Sequence, residues 1–140
     1  MSNTIKFGSR SLSNALKKYG EEVEREVKRI IFHTAYRIHG EAISLAPYDE
    51  GNLKGSIEVE IVDGGLTAVV RVTANYAVWI EYGTGIYAVE GNGRKTPWTY
   101  YSTKLGRFVT TEGMKPQPFW HPAIDVGQRY FKSEMRKLGR

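Results

Sequence analysis

From Leu12 to Leu45 the apolar residues fall three and four positions apart: Leu12, Leu16, Tyr19, Val23, Val27, Ile30, Ile31, Ala35, Ile38, Ala42 and Leu45. At 3.6 residues per turn they form one stripe on an α-helix. Lys17, Lys18, Glu21, Glu22, Glu24, Arg25, Lys28 and Arg29 occupy the other faces, with Glu21/Arg25 and Glu24/Lys28 in the favourable acid-first i,i+4 order. Pro47 ends the run, because the residue before a proline is pushed out of the helical region. A helix over 11–45 would be about 52 Å long. A compact domain of 140 residues is only about 37 Å across. The helix must therefore break or project, and Gly20 is the predicted break. The piece 21–45, about 37 Å long, fits. Residues 1–10 read as an N-terminal arm and 11–140 as a single domain.

After the turn formers Pro47 to Asn52, the residues Ile57, Val59 and Ile61 alternate with Ser56, Glu58 and Glu60, a period of two that predicts a strand. Asp63-Gly64-Gly65 predicts a hairpin turn. Leu66, Ala68, Val70 and Val72 give the returning strand, where Val69 interrupts the polar face. Tyr76 to Tyr82, rich in aromatic and branched residues, is expected to be a third strand after a turn at Ala74-Asn75. The apolar face of this antiparallel meander needs a cover, which the long helix supplies.

Glycines punctuate residues 83–113, and two short strands, Pro97–Ser102 and Arg107–Thr111, are predicted around Thr103-Lys104-Leu105-Gly106. Residues 86–113 thus read as a hairpin inserted in a long loop; loops of that length are usually functional or disordered, and Trp98, Tyr100, Tyr101 and Phe108 argue against plain disorder. Pro116 and Pro118 fix an extended entry to a last helix, in which Pro122 lies in the first turn. The predicted class is α+β: an antiparallel meander packed against a long N-terminal and a C-terminal helix, with an inserted hairpin.

Chemistry is sparsely signalled. There is no cysteine, which excludes disulfides, thiolate metal sites and a cysteine nucleophile. His33 and His39 lie six apart, on different helix faces, and His121 stands at a helix start, so no metal pair is formed. Gly91-Asn92-Gly93-Arg94-Lys95 lacks the strand-to-helix setting of a phosphate loop. Asp49-Glu50 and Glu81 could approach as a hydrolytic carboxylate pair, but Asp49 is better read as organising its own turn and Glu81 as structural. Neither an enzyme nor a cofactor is expected. No run approaches the 18 or so apolar residues of a membrane span, and the polar first ten residues predict no export signal.

The net charge of +5 is unevenly spread: +3 over 1–46, −4 over 47–85, +3 over 86–120 and +3 over 121–140. Within 86–120, Lys95, Lys104 and Arg107 interleave with Trp98, Tyr100 and Tyr101. Basic groups among rings suit either an interface arm or a non-specific nucleic-acid surface. The expected subunit or channel interface is these six residues.

Three ordered patterns carry a family resemblance: Leu45-Ala46-Pro47-Tyr48-Asp49-Glu50-Gly51-Asn52-Leu53-Lys54-Gly55-Ser56-Ile57, then Tyr76-Ala77-Val78-Trp79-Ile80-Glu81-Tyr82-Gly83-Thr84, then Met114-Lys115-Pro116-Gln117-Pro118-Phe119-Trp120-His121-Pro122-Ala123. Between a long amphipathic helix and a final helix, the set resembles the head–tail joining or tail-completion (neck) proteins of tailed, lambdoid-type bacteriophages. The resemblance implies a non-catalytic ring subunit, expected to be hexameric, between the capsid portal or adaptor and the tail tube or terminator. It implies a place in the virion neck and assembly in the bacterial cytoplasm; a ring whose lumen passes DNA would make at most weak, non-specific contact with it, since the duplex must slide. It also implies structural roles for Pro47, Asp49 and Gly51 at the helix-to-sheet turn. Glu81, Gly83 and Thr84 would end a strand at a bend, and Pro118 and Phe119 would pin the last helix. The alternative is a non-specific nucleic-acid-binding module built on 86–120.

Overall fold

The computed structural model describes residues 4–8, 20–47, 52–103 and 105–139. The elements are β1 (Thr4–Gly8), α1 (Glu21–Leu45), the single turn α2 (Asn52–Gly55), β2 (Ile57–Val62), β3 (Thr67–Val72), α3 (Ala77–Tyr82), β4 (Trp98–Ser102), β5 (Arg107–Thr111) and α4 (Trp120–Leu138). The class is α+β, as the sequence predicts. The chain divides into two compact units, Met1–Ala74 with Phe119–Arg140, and Asn75–Pro118.

In the first unit α1 starts immediately after Gly20, whose φ of 93° takes it out of the helix at the predicted break. The expected helical residues 11–19 lie outside the described residues. At the other end Ala46 is extended, its N–H bonding the Ala42 carbonyl just before Pro47. Val27, Ile30, Ile31, Ala35, Ile38 and Ala42 are buried along the predicted stripe. Thr34 joins them, because its hydroxyl donates to the Ile30 carbonyl at 2.7 Å. Burying each large side chain contributes roughly 1.5–3 kcal/mol.

β2 and β3 pair antiparallel with Ile57 opposite Val72 and Ile61 opposite Ala68. The predicted turn at Asp63–Gly65 joins them, tied by the Thr67 hydroxyl donating to Asp63 Oδ2 at 2.7 Å. The third strand is a correction. It is β1, the expected arm, which pairs antiparallel with β3 and gives the order β1-β3-β2. β3 is therefore central, and Val69 lies between Lys6 and Glu60. Residues 76–82, expected as a strand, form the helix α3.

α4 packs on α1. A Cβ on Gly127 would overlap the Ile38 side chain, so a bare glycine lets the two helices approach there. Trp120 and Ala123 are fully buried in the same helix. Arg29 of α1 reaches Glu134 of α4 at 3.7 Å, and the Arg37 guanidinium sits 5.1 Å from the Tyr130 ring centre.

Candidate functional site

The second unit carries most of the proposed site. α3 starts at Tyr76, whose carbonyl accepts from the Trp79 N–H, and stops at Gly83, where φ is 80° and the N–H bonds the Trp79 carbonyl at 2.8 Å. The next residues run beside 112–117. Thr84 N–H donates to the Met114 carbonyl at 2.9 Å, Ile86 N–H to Glu112 at 3.0 Å, and Gln117 N–H to Ile80 at 2.8 Å. The Thr84 hydroxyl accepts from Met114 N–H at 2.9 Å. The two segments cross with almost no side chain between them. A Cβ on Gly85 would overlap the Glu112 carbonyl, and Gly85 also sits at φ 62°. Backbone bonds and close glycine approach thus build this frame.

From the frame rises the hairpin β4–β5, with Tyr100 opposite Val109 and Tyr101 opposite Phe108. Tyr101 and Phe108 meet edge to face, ring centres 5.3 Å apart. Alternation puts Tyr101 and Phe108 on one face of the ribbon, and Trp98, Tyr100 and Arg107 on the other. Phe108 is 70 % exposed, and Tyr100, Tyr101 and the tip residue Leu105 are exposed as well. A two-stranded ribbon with apolar groups on both faces cannot bury them by itself.

At the hairpin's base lies an open cleft of about 380 Å³ lined by Trp79, Tyr82, Trp98, Glu90 and Arg94, with Gly83, Gly85 and Gly93 among its backbone walls. The Arg94 guanidinium sits 5.7 Å from the Trp98 ring centre, and its Nε donates to the Thr96 hydroxyl at 3.1 Å. The Tyr82 phenol is held above its ordinary pKa, first by burial and then by the Glu81 and Glu90 carboxylates.

The structure brings Trp98, Tyr100, Tyr101 and Arg107 together on one hairpin, and places Lys95 exposed in the loop leading into it. Lys104 lies outside the described residues. Of the structural-motif positions, Glu81 and Gly83 are buried, Thr84 binds Met114, Phe119 is fully buried and Pro118 is exposed. Pro47 follows the end of α1, and Asp49 and Gly51 lie outside the described residues. The exposed Trp79, Ile86, Tyr87 and Val89 were not singled out from sequence. Only the density of apolar residues flanking Gly83 and Gly85 hinted at them. Among the described residues, no group of three His, Asp or Glu is arranged to hold a metal ion, and no helix is long and apolar enough to cross a membrane.

The family model described as "Bacteriophage HK97-gp10, putative tail-component" matches residues 10–83. No curated protein and no solved structure matches the chain. The matched span holds α1, β2, β3 and α3, with the first of the three sequence patterns and the second up to Gly83. The chain belongs to the HK97-gp10-like family of bacteriophage tail components, structural proteins of the virion.

Proposed function

We propose that this chain is a subunit of a neck or tail-completion ring joining the phage head, at its portal or adaptor, to the tail, and that the β4–β5 hairpin is the arm by which subunits hold one another. The observation that carries this reading is the exposure of Tyr100, Tyr101, Leu105 and Phe108 on a ribbon too thin to bury them. Aromatic residues exposed in this density are the usual anchors of protein interfaces. Family membership points to partners among other phage structural proteins. In this reading a hexameric ring is the working stoichiometry, assembly takes place in the host cytoplasm, and no residue is catalytic.

Light scattering on the chain alone, and mixed with purified heads or tails, tests the proposal. The expected result is incorporation into particles, giving infectious joined virions. The double substitution Tyr101→Ser, Phe108→Ser should abolish incorporation while costing no more than about 1.5 kcal/mol, the scale of the edge-to-face ring pair that it removes. Failure of the unaltered chain to join either heads or tails would overturn the reading. A free monomer would not, because a ring of this kind can form on its template.

A further inference from the structure

The outer face of α4 lacks the exposed aromatic rings of the second unit's hairpin. Its exposed residues are His121, Asp125, Gln128, Arg129, Lys132, Ser133, Arg136 and Lys137, and none is aliphatic. At 100° per residue, Arg129, Lys132 and Arg136 fall within an arc of about 60° and along about 10 Å of helix. The negative end of the helix accounts for Arg136 and Lys137. It does not account for Arg129 and Lys132, which stand in the body of the helix.

Asp125, which lines a cleft with Arg129 and Lys132, offsets one of the stripe's three cations and leaves it net positive. The Glu134 carboxylate is engaged by Lys137 at 3.2 Å and by Arg29 at 3.7 Å. Arg129 turns its Nε to the backbone carbonyl of Asp125 at 3.4 Å. Lys132 also lines a cleft of about 230 Å³ with Lys6 of β1, among Ile5, Ile38 and Phe131, and no carboxylate lines it. Strand alternation turns the Lys6 side chain to the opposite face of the sheet from Ile5, so Lys132 is the cation that borders the cleft.

We propose that the outer face of α4 is a contact surface for the phosphate backbone of double-stranded DNA. A row of flexible cations, one per helical turn and with no apolar anchor among them, matches a phosphate backbone. A protein partner would call for the large apolar groups that this face lacks. The inference does not depend on the hairpin arm. It moves the nucleic-acid contact from residues 86–120 to the C-terminal helix.

The test is fluorescence anisotropy of a labelled duplex of arbitrary sequence titrated with the full chain. With three or four phosphates neutralised, affinity should fall roughly 40- to 150-fold between about 50 and 200 mM salt. The variant R129Q/K132Q/R136Q should lose most of the binding and flatten the salt slope by about 3. The charge-keeping variant R129K/K132R/R136K should retain both, which separates charge from any structural effect. The single exposed change Lys132→Glu gives the same direction of effect should the triple variant not fold. The hairpin variant K95Q/R107Q should bind as the unaltered chain does. No binding at low salt, binding indifferent to salt, or loss with K95Q/R107Q but not with the α4 variants would overturn the proposal. So would binding to polyglutamate in preference to the duplex.

Discussion

The two units of this chain treat their apolar residues in opposite ways. The first, built from β1, α1, β2, β3 and α4, encloses them: Val27, Ile30, Ile31, Ile38, Leu53, Leu66, Val70, Val72 and Trp120 are all essentially inaccessible. The second unit, about half as long, displays them. Of twelve large hydrophobic side chains exposed among the described residues, eight lie in it, so chance scatter over the surface does not explain their place. What holds the second unit's frame is backbone, through the bonds from 84 and 86 to 114 and 112 and the glycine crossing at Gly85. Burial sustains one unit. Main-chain geometry sustains the other, and leaves its side chains available to a partner.

That contrast can be broken from either side. The largest effect is expected at Ile38, fully buried against Gly127. Ile38→Ala should cost about 3 kcal/mol in urea unfolding, by lost transfer free energy and a residual cavity. Gly85→Val should cost about 2 kcal/mol, because a branched residue resists a φ of 62° and its Cβ overlaps the Glu112 carbonyl. Hydrogen exchange should show this loss at the Thr84 and Ile86 amides and not in α1. Equal loss of protection in α1 would mean that the division into units is not energetic.

The smallest effect sharpens the comparison electrostatically. The Tyr82 pKa is raised, so the folded chain holds that proton more tightly than the unfolded one. Its contribution to stability is full below about pH 10 and falls as the pH climbs toward the folded value. Tyr82→Phe should therefore lessen the alkaline loss of stability in chemical unfolding, and an unchanged alkaline slope would contradict the assignment.

Much of the first unit was legible because its signals are local. The stripe from Val27 to Ala42, the break at Gly20 and the Asp63–Gly65 turn each depend on residues close in sequence. The strand pairing of β1 was not legible, because five residues of weak alternation do not name a partner some sixty positions away. The one trace of it was Val69, an apolar residue on what a two-stranded reading takes for the polar face, explained once β3 is central. The misreading of 76–82 has a different cause. A short, uniformly apolar run fits strand and helix alike. Its decisive features were Ala77, Ile80 and Glu81, buried at helical spacing, and the left-handed stop at Gly83. At the site, the hairpin strands and their aromatics were readable from the glycine-bounded pattern. The glycine crossing beneath them was not, since it joins 83–86 to 112–116 through backbone alone.

The strand order β1-β3-β2 also fixes a sequence of events during synthesis. β1 leaves the ribosome first, yet its partner β3 follows only after about sixty more residues, and closing so long a loop is slow. α4, which covers α1, emerges last of all. Every element of the second unit lies between these two waits, and its bonds connect residues no more than about forty apart. The arm-bearing unit is thus fully synthesised while the unit that frames it in sequence still lacks its final helix. On the nascent chain, the aromatic hairpin is exposed to neighbouring chains before the first unit's core can close.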